Sequence, residues 1–219
     1  MPLSYSSSVT NSVQLIAEKL IIERGGRTIL NDVSFTAGAG ATLLLTGANG
    51  AGKTTLLRAL GGFLPLTGGT IRVTPADDET PRAELIHTVG HSNAVKVHLT
   101  VRENVMFWSR FLGGSVAAED RTDRALGAFA LRDLEDVPAS YLSAGQRRRL
   151  GLARLLAAPR PIWLLDEPTV SLDAASTERL ARVIDQHTAT GGLVVAATHL
   201  PLGLNNTREL RLGVEGGRA

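Results

Sequence analysis

Ala41-Thr42-Leu43-Leu44-Leu45-Thr46-Gly47-Ala48-Asn49-Gly50-Ala51-Gly52-Lys53-Thr54 is the stretch on which the fold turns. Residues 41–46 form a continuous apolar run, suited to a strand buried on both faces. The next eight, Gly47 to Thr54, fit G-x-x-x-x-G-K-[ST] at every position. Lys53 to Leu60 then reads as a helix closed by Gly61-Gly62. Glycines in such a turn let successive backbone N–H groups face inward around phosphate oxygens, at a helix N-terminus whose partial charge favours anions. Lys53 is in reach of β- and γ-phosphates, and the Thr54 hydroxyl suits Mg²⁺. Thr55, next in the helix, is counted with the loop as nucleotide-binding.

Outward from this loop the chain alternates strands and helices. Before it, Leu20 to Ile22, Thr28 to Leu30 and Val33 to Phe35 read as short antiparallel strands, with turns at Gly25-Gly26 and Asn31-Asp32. After it come strands at Thr70 to Val73 and Leu85 to Val89, then helices from about Thr100 to Tyr141. Thr100 with Glu103, and Ser143 with Gln146, have capping-box spacing at helix starts, the second helix running through Leu156. On the first, Val101, Val105, Trp108 and Leu112 form one apolar stripe, and Met106, Phe107 and Phe111 lie off it. Ile162 to Leu165 and Leu193 to Thr198 read as buried strands flanking a helix from Asp173 to His187. The expected fold class is α/β: a mainly parallel sheet with flanking helices, an antiparallel β subdomain and a helical subdomain. One nucleotide-binding domain spans 1–219, its helical subdomain at about 92–150.

Ile162-Trp163-Leu164-Leu165-Asp166-Glu167 is an apolar strand ending in two acids. Alone, such a pair marks an exposed strand end. With a phosphate loop in the same chain, Asp166 is placed to orient Mg²⁺ and Glu167 to polarise an attacking water. Leu142-Ser143-Ala144-Gly145-Gln146 supplies a second helix N-terminus with a small serine and a glycine, another phosphate cradle. Read by itself it is only a well-capped helix.

Together these motifs resemble the ATP-binding cassette (ABC) ATPases over nearly the whole chain, from about Leu15 to Leu210. The resemblance makes 142–146 the signature sequence, with Ser143, Gly145 and Gln146 binding the γ-phosphate held by a second copy of the chain. It implies a homodimer that binds ATP and Mg²⁺. It makes Asp173 the acid of the loop that contacts the partner site, and His199 the catalytic switch histidine that senses the γ-phosphate. Two positions depart from the family. Arg24 stands where an adenine-stacking aromatic is usual; its guanidinium plane can stack on a base. His91 stands where a metal- and water-contacting glutamine is usual.

The stretches Gly90 to Lys96, Leu99 to Asn104, Phe107 to Gly114 and Thr198-His199-Leu200-Pro201-Leu202 resemble the haem-exporter ATPases of bacterial cytochrome c maturation. So does the expected lack of an added C-terminal domain. That branch implies a peripheral subunit on the cytoplasmic face of the inner membrane. There it is bound to integral-membrane subunits of the maturation system and couples hydrolysis to haem export and haem-chaperone release. The alternatives are the ATPase of another small-substrate exporter, a nucleotide sensor without turnover, or an ABC protein acting on nucleic acid or ribosomes.

Composition weighs against the last. Formal net charge is +2, lysine occurs only at Lys19, Lys53 and Lys96, and the one compact basic run, Arg147-Arg148-Arg149, reads as the solvated side of a helix. No basic stripe points to nucleic acid. The 43% hydrophobic and 20% charged fractions are those of a globular protein, and the lack of cysteine excludes disulfides and thiolate metal sites and agrees with a cytoplasmic address. The opening MPLSYSSSVTNSVQ lacks the basic leader and apolar core of a secretory signal, and no run of about 18 apolar residues occurs.

Overall fold

The computed structural model describes residues 13–74, 81–199, 202–204 and 206–213. The opening segment read above against a secretory signal therefore lies almost wholly outside the described residues, as do Leu200 and Pro201 of the Thr198–Leu202 stretch. The chain divides into two compact units. The first takes its residues from Met1–Thr88, Arg160–Glu167 and Asp185–Ala219, the second from Val89–Pro159 and Pro168–Ile184.

The first unit carries two sheets. In one, β1 (Gln14–Arg24), β2 (Arg27–Gly38) and β4 (Gly68–Thr74) pair antiparallel in the order β2-β1-β4. Gly25 and Gly26, both at positive φ, close the β1–β2 hairpin as a two-residue turn whose twist suits the strands. Asn31-Asp32, expected as a second turn, lies instead inside β2. Pairing runs Ala17↔Phe35, Leu20↔Val33, Ile22↔Leu30, so a bulge at Glu18-Lys19 is offset by one at Asn31-Asp32. Lys19 and Asp32 both take positive φ there. The paired bulges keep Leu20, Ile22, Leu30 and Val33 buried on one face, where strict alternation from Ala17 and Phe35 would have turned Leu20, Ile22 and Leu30 outward.

The other sheet has the order β5-β6-β7-β3-β8, with β5 (Ile86–Val89), β6 (Ile162–Asp166), β7 (Leu193–Ala197), β3 (Thr42–Thr46) and β8 (Thr207–Arg211). The β6–β7, β7–β3 and β3–β8 ladders are all parallel, in keeping with α/β architecture. The β8 strand was not anticipated: Thr-Arg-Glu-Leu-Arg carries one apolar residue and sits at the sheet edge. Helix α1 (Lys53–Leu60) packs Leu56, Leu57 and Leu60 into the same core as Leu45, Ile162, Leu164 and Val195. A short helix, α2 (Arg82–Leu85), precedes β5.

The second unit is helical: α3 (Val101–Gly113), α4 (Ala118–Ala128), α5 (Ala144–Ala153) and the start of α6 (Ala174–Ala189). Both expected capping boxes are formed, with the backbone N–H of Glu103 on Thr100 Oγ1 at 3.1 Å and that of Gln146 on Ser143 Oγ at 3.2 Å. The Ser143 helix runs as α up to Ala153 and then tightens to a 3₁₀ turn at Arg154–Leu156. The expected stripe on α3 needs correction. Val101 and Val105 are buried, but their buried companions are Asn104 and Ser109, while Trp108 and Leu112 are only half-buried. Asn104 is tolerated inside because its amide donates to the carbonyls of Lys96, Leu99 and Thr100 and its oxygen accepts from the Lys96 N–H.

Arg147-Arg148-Arg149 is not a solvated face. Arg148 is buried, and Arg147 and Arg149 are half-buried, their guanidinium groups donating to the carbonyls of Leu142, Phe129 and Ala130.

Candidate nucleotide-binding site

The strand β3 delivers the chain into the phosphate loop, and α1 leaves it. Gly47 has φ 132°, and a Cβ there would stand 2.6 Å from the Leu212 carbonyl oxygen. Gly52, at φ 99° just before α1, would drive a Cβ to 2.6 Å from Leu30 Cδ2. Only glycine fits either place, so the loop's shape follows from its two outer glycines. Within it the Ala51 N–H donates to the Ala48 carbonyl at 3.1 Å. Lys53 is buried and curls back over the loop, its Nζ donating to the carbonyls of Gly47 at 2.7 Å and Ala48 at 3.1 Å. An ammonium has three donors, so this arrangement fixes the charge over the loop with a proton still to give.

Beside the loop, the Thr54 hydroxyl donates to Asp166 Oδ1 at 3.1 Å. Asp166 closes β6, and Glu167 follows at φ 46°, a left-handed conformation uncommon for a non-glycine residue. A backbone bond from the Glu167 N–H to the Ala197 carbonyl, 2.8 Å, supports it. Two contacts from His199 hold the Glu167 carboxylate: its backbone N–H to Oε2 at 3.3 Å and its Nε2 to Oε1 at 3.2 Å. Arg24, Asn49, Gly50, Gly52, Lys53, Thr54, Thr55, Asp166, Glu167 and His199 line one open cleft of about 260 Å³. Ile29 lines it too. Nothing in the sequence marks Ile29 for this place, because a single isoleucine in β2 carries no motif.

The remaining expected residues belong to the second unit. Ser143 caps α5 reciprocally, its own N–H donating to Gln146 Oε1 at 2.8 Å. A Cβ on Gly145 would lie 3.0 Å from the Ser171 carbonyl oxygen, so the signature turn and the segment before Asp173 touch through a glycine. Asp173 Oδ1 accepts the Ser176 N–H at 2.8 Å, capping α6. Hydrogen bonds from the Ser176 side chain and backbone hold its carboxyl below the usual range. His91 is exposed. Among the described residues no group of three or more His, Cys, Asp or Glu side chains is arranged to hold a metal ion, and none of the helices is long and apolar enough to cross a membrane.

A strand, a phosphate loop, a Thr–Asp pair beside it and a carboxylate held by a histidine define a nucleotide triphosphatase of the cassette kind. The chain belongs to the ABC transporter family, whose family model matches residues 30–170, and it is an ATP-hydrolysing member. Its relatives include the "Cytochrome c biogenesis ATP-binding export protein CcmA" of Chelativorans sp. (strain BNC1), 47% identical over 92% of this chain and 98% of that protein. The protein of that name from Rhodopseudomonas palustris (strain HaA2) is 50% identical over 87% of this chain and 93% of its own. In Rhizobium meliloti (strain 1021) the corresponding figures are 48%, 91% and 98%. The branch expected from the stretches within Gly90–Gly114 and from Thr198–Leu202 is thus borne out. Among solved structures, an ATP-binding subunit of an ABC transporter superposes with TM-score 0.80 at 21% identity, covering 92% of this chain and 86% of that one. A dimeric ATP-binding cassette in a post-hydrolysis state with ADP and Pi gives 0.77 at 24%, covering 92% and 95%. Both likenesses confirm the α/β cassette fold.

Proposed function

We propose that this chain is the ATPase of a membrane complex that couples ATP hydrolysis to haem export and haem-chaperone release in cytochrome c maturation. The observation that carries the reading is the convergence of Lys53, Thr54, Asp166, Glu167 and His199 on one cleft, in a chain so close to the export proteins. Gly47 to Thr55 cradles the nucleotide phosphates, and Lys53 directs its remaining N–H donor to them. Thr54 Oγ1 and Asp166 Oδ1 offer only oxygen, the donor type a hard cation takes. Mg²⁺ held by this pair would supply positive charge against the phosphate oxygens. Glu167 polarises the attacking water, and His199 fixes the carboxylate for that task. Arg24, exposed on the cleft rim, stacks on the base.

A cleft of about 260 Å³ falls short of the roughly 300–1,000 Å³ of a complete small-molecule pocket. That shortfall suits a half-site, completed by Ser143, Gly145, Gln146 and Asp173 of a second copy. The His91 loop and the outer face of α3 serve the integral-membrane subunits, and the complex lies at the cytoplasmic face of the inner membrane. Co-purification from membranes tests the assignment. The expected result is a complex holding integral proteins of cytochrome c maturation and haem, read from its absorbance. Integral proteins of another transport system, with a colourless cargo, would replace this reading with that of a different small-substrate exporter.

A further inference from the structure

The run Arg147-Arg148-Arg149 stays outside the nucleotide machinery, yet its middle member is the most enclosed charge in the second unit. Arg148 is 3% exposed. Its Nη1 donates to the Gly90 carbonyl at 2.9 Å and to Asn93 Oδ1 at 3.0 Å, and its Nε to the Pro168 carbonyl at 3.2 Å. One guanidinium thereby joins three segments: the helix α5 that Ser143 opens, the loop that carries His91, and the residue bonded directly to Glu167. The grip on the loop is wider than one side chain. A turn later on α5, a Cβ on Gly151 would stand 2.9 Å from Asn93 Cβ, so helix and loop are in van der Waals contact there. On the far side of the loop, Trp108 Nε1 donates to the Ala94 carbonyl at 3.3 Å, and Arg154 lies over the Trp108 ring at 4.4 Å.

These contacts tie the three segments to one guanidinium. A planar fork with fixed donor directions does this where a lysine point charge does not. We infer that Arg148 is a positioning residue for hydrolysis: it keeps the signature helix, the His91 loop and the backbone that follows Glu167 in a single register. The inference rests on the proposed role of Glu167 as the water-polarising carboxylate. Glu167 sits at φ 46°, so a shift of the Pro168 carbonyl bears directly on a strained backbone. Arg148 does not line the nucleotide cleft, so its loss should lower turnover without weakening nucleotide binding.

Steady-state hydrolysis by the full chain tests this, with ATP affinity and melting temperature measured on the same samples. Arg148→Met and Arg148→Lys should each lower kcat on the order of 10- to 100-fold, the range a small misplacement of catalytic groups produces, with KM for ATP within about twofold. Asn93→Ala should lower kcat in the same sense, and Asn93→Asp, which keeps the acceptor for Arg148, should restore it. The Asn93→Ala loss should largely vanish in an Arg148→Met background, because the two changes remove one contact. A folded Arg148→Met chain with normal kcat overturns the inference, as do independent losses in the double variant. If both Arg148 variants fail to fold, the Asn93 pair decides: Ala and Asp behaving alike rules the role out. Lys53→Ala separates this from failure of the underlying reading, since hydrolysis surviving in that variant sinks the nucleotide site itself.

Discussion

His187 stacks on Trp163 with ring centroids 3.7 Å apart and planes 4° from parallel, and its Nε2 lies 3.2 Å from the Pro161 carbonyl oxygen. Burial lowers its pKa from 6.5 to about 4, against the raising effect of hydrogen bonds to the Pro161 and Leu193 backbone. A histidine whose pKa drops on folding binds its proton more tightly in the unfolded chain. Its contribution is therefore complete above about pH 6.5 and is lost as pH falls toward 4. The linkage is on the order of 3 kcal/mol at most. Melting temperature should decline more steeply from pH 6.5 to 4 in the wild type than in His187→Phe, which keeps the stack without the proton. Parallel curves would assign the acid sensitivity elsewhere. Residues like His187 and Arg148 were illegible in the sequence for a common reason. Each is held partly by backbone carbonyls brought in by tertiary structure, and a carbonyl leaves no mark on residue identity. Lys53, Asp166 and Glu167 were legible because their spacing follows from a strand end and a helix start, which are local.

At the scale of the element, α3 shows how far periodicity carries. Its start follows from Thr100 and Glu103, and its end from Gly113-Gly114, where Gly114 takes a φ of 73°. The inner face was only partly readable, because Ser109 is buried to accept from Arg121 Nε and to donate its hydroxyl to backbone carbonyls. The outer face carries Phe107 stacked on Phe111 at 5.8 Å, with Phe111 70% exposed, in a groove also lined by Arg102, Met106 and Arg110. A large aromatic with that much exposed apolar area belongs to the residue types favoured at protein interfaces. Phe107 also meets Lys96 and Trp108, so replacing it disturbs packing. Phe111→Glu is the cleaner change. It should leave ATP binding by the isolated chain unchanged, detach the chain from membranes and stop cytochrome c maturation. Continued fractionation with membranes would remove this face from the docking surface.

Across the whole molecule, the expected nucleotide residues fall in two groups on two units. The phosphate loop, Asp166, Glu167, His199 and Arg24 belong to the first, and His91, Ser143, Gly145, Gln146 and Asp173 to the second. The alternation of strands and helices made both units visible in outline, whereas the edge strand β8, with one apolar residue, was not. Each group is ordered internally by its own hydrogen bonds, Thr54 to Asp166 in one and Ser143 to Gln146 in the other. The proposed shared site requires the first group of one copy to face the second group of another, with ATP between them. Glu167→Gln isolates that requirement. The amide keeps the shape of the carboxylate but cannot take the water's proton, so ATP binds and stays intact. In the proposed shared site, nucleotide that cannot be cleaved goes on bridging Lys53 of one copy and Ser143 of the other. The variant should therefore sediment as a monomer without nucleotide and as a dimer with ATP and Mg²⁺. Adding Ser143→Arg, which fills the cradle with a bulky cation, should return it to monomer while leaving ATP bound to the phosphate loop. A Glu167→Gln chain that binds ATP yet remains monomeric at all concentrations would confine the site to one copy and leave the signature turn as a helix cap alone.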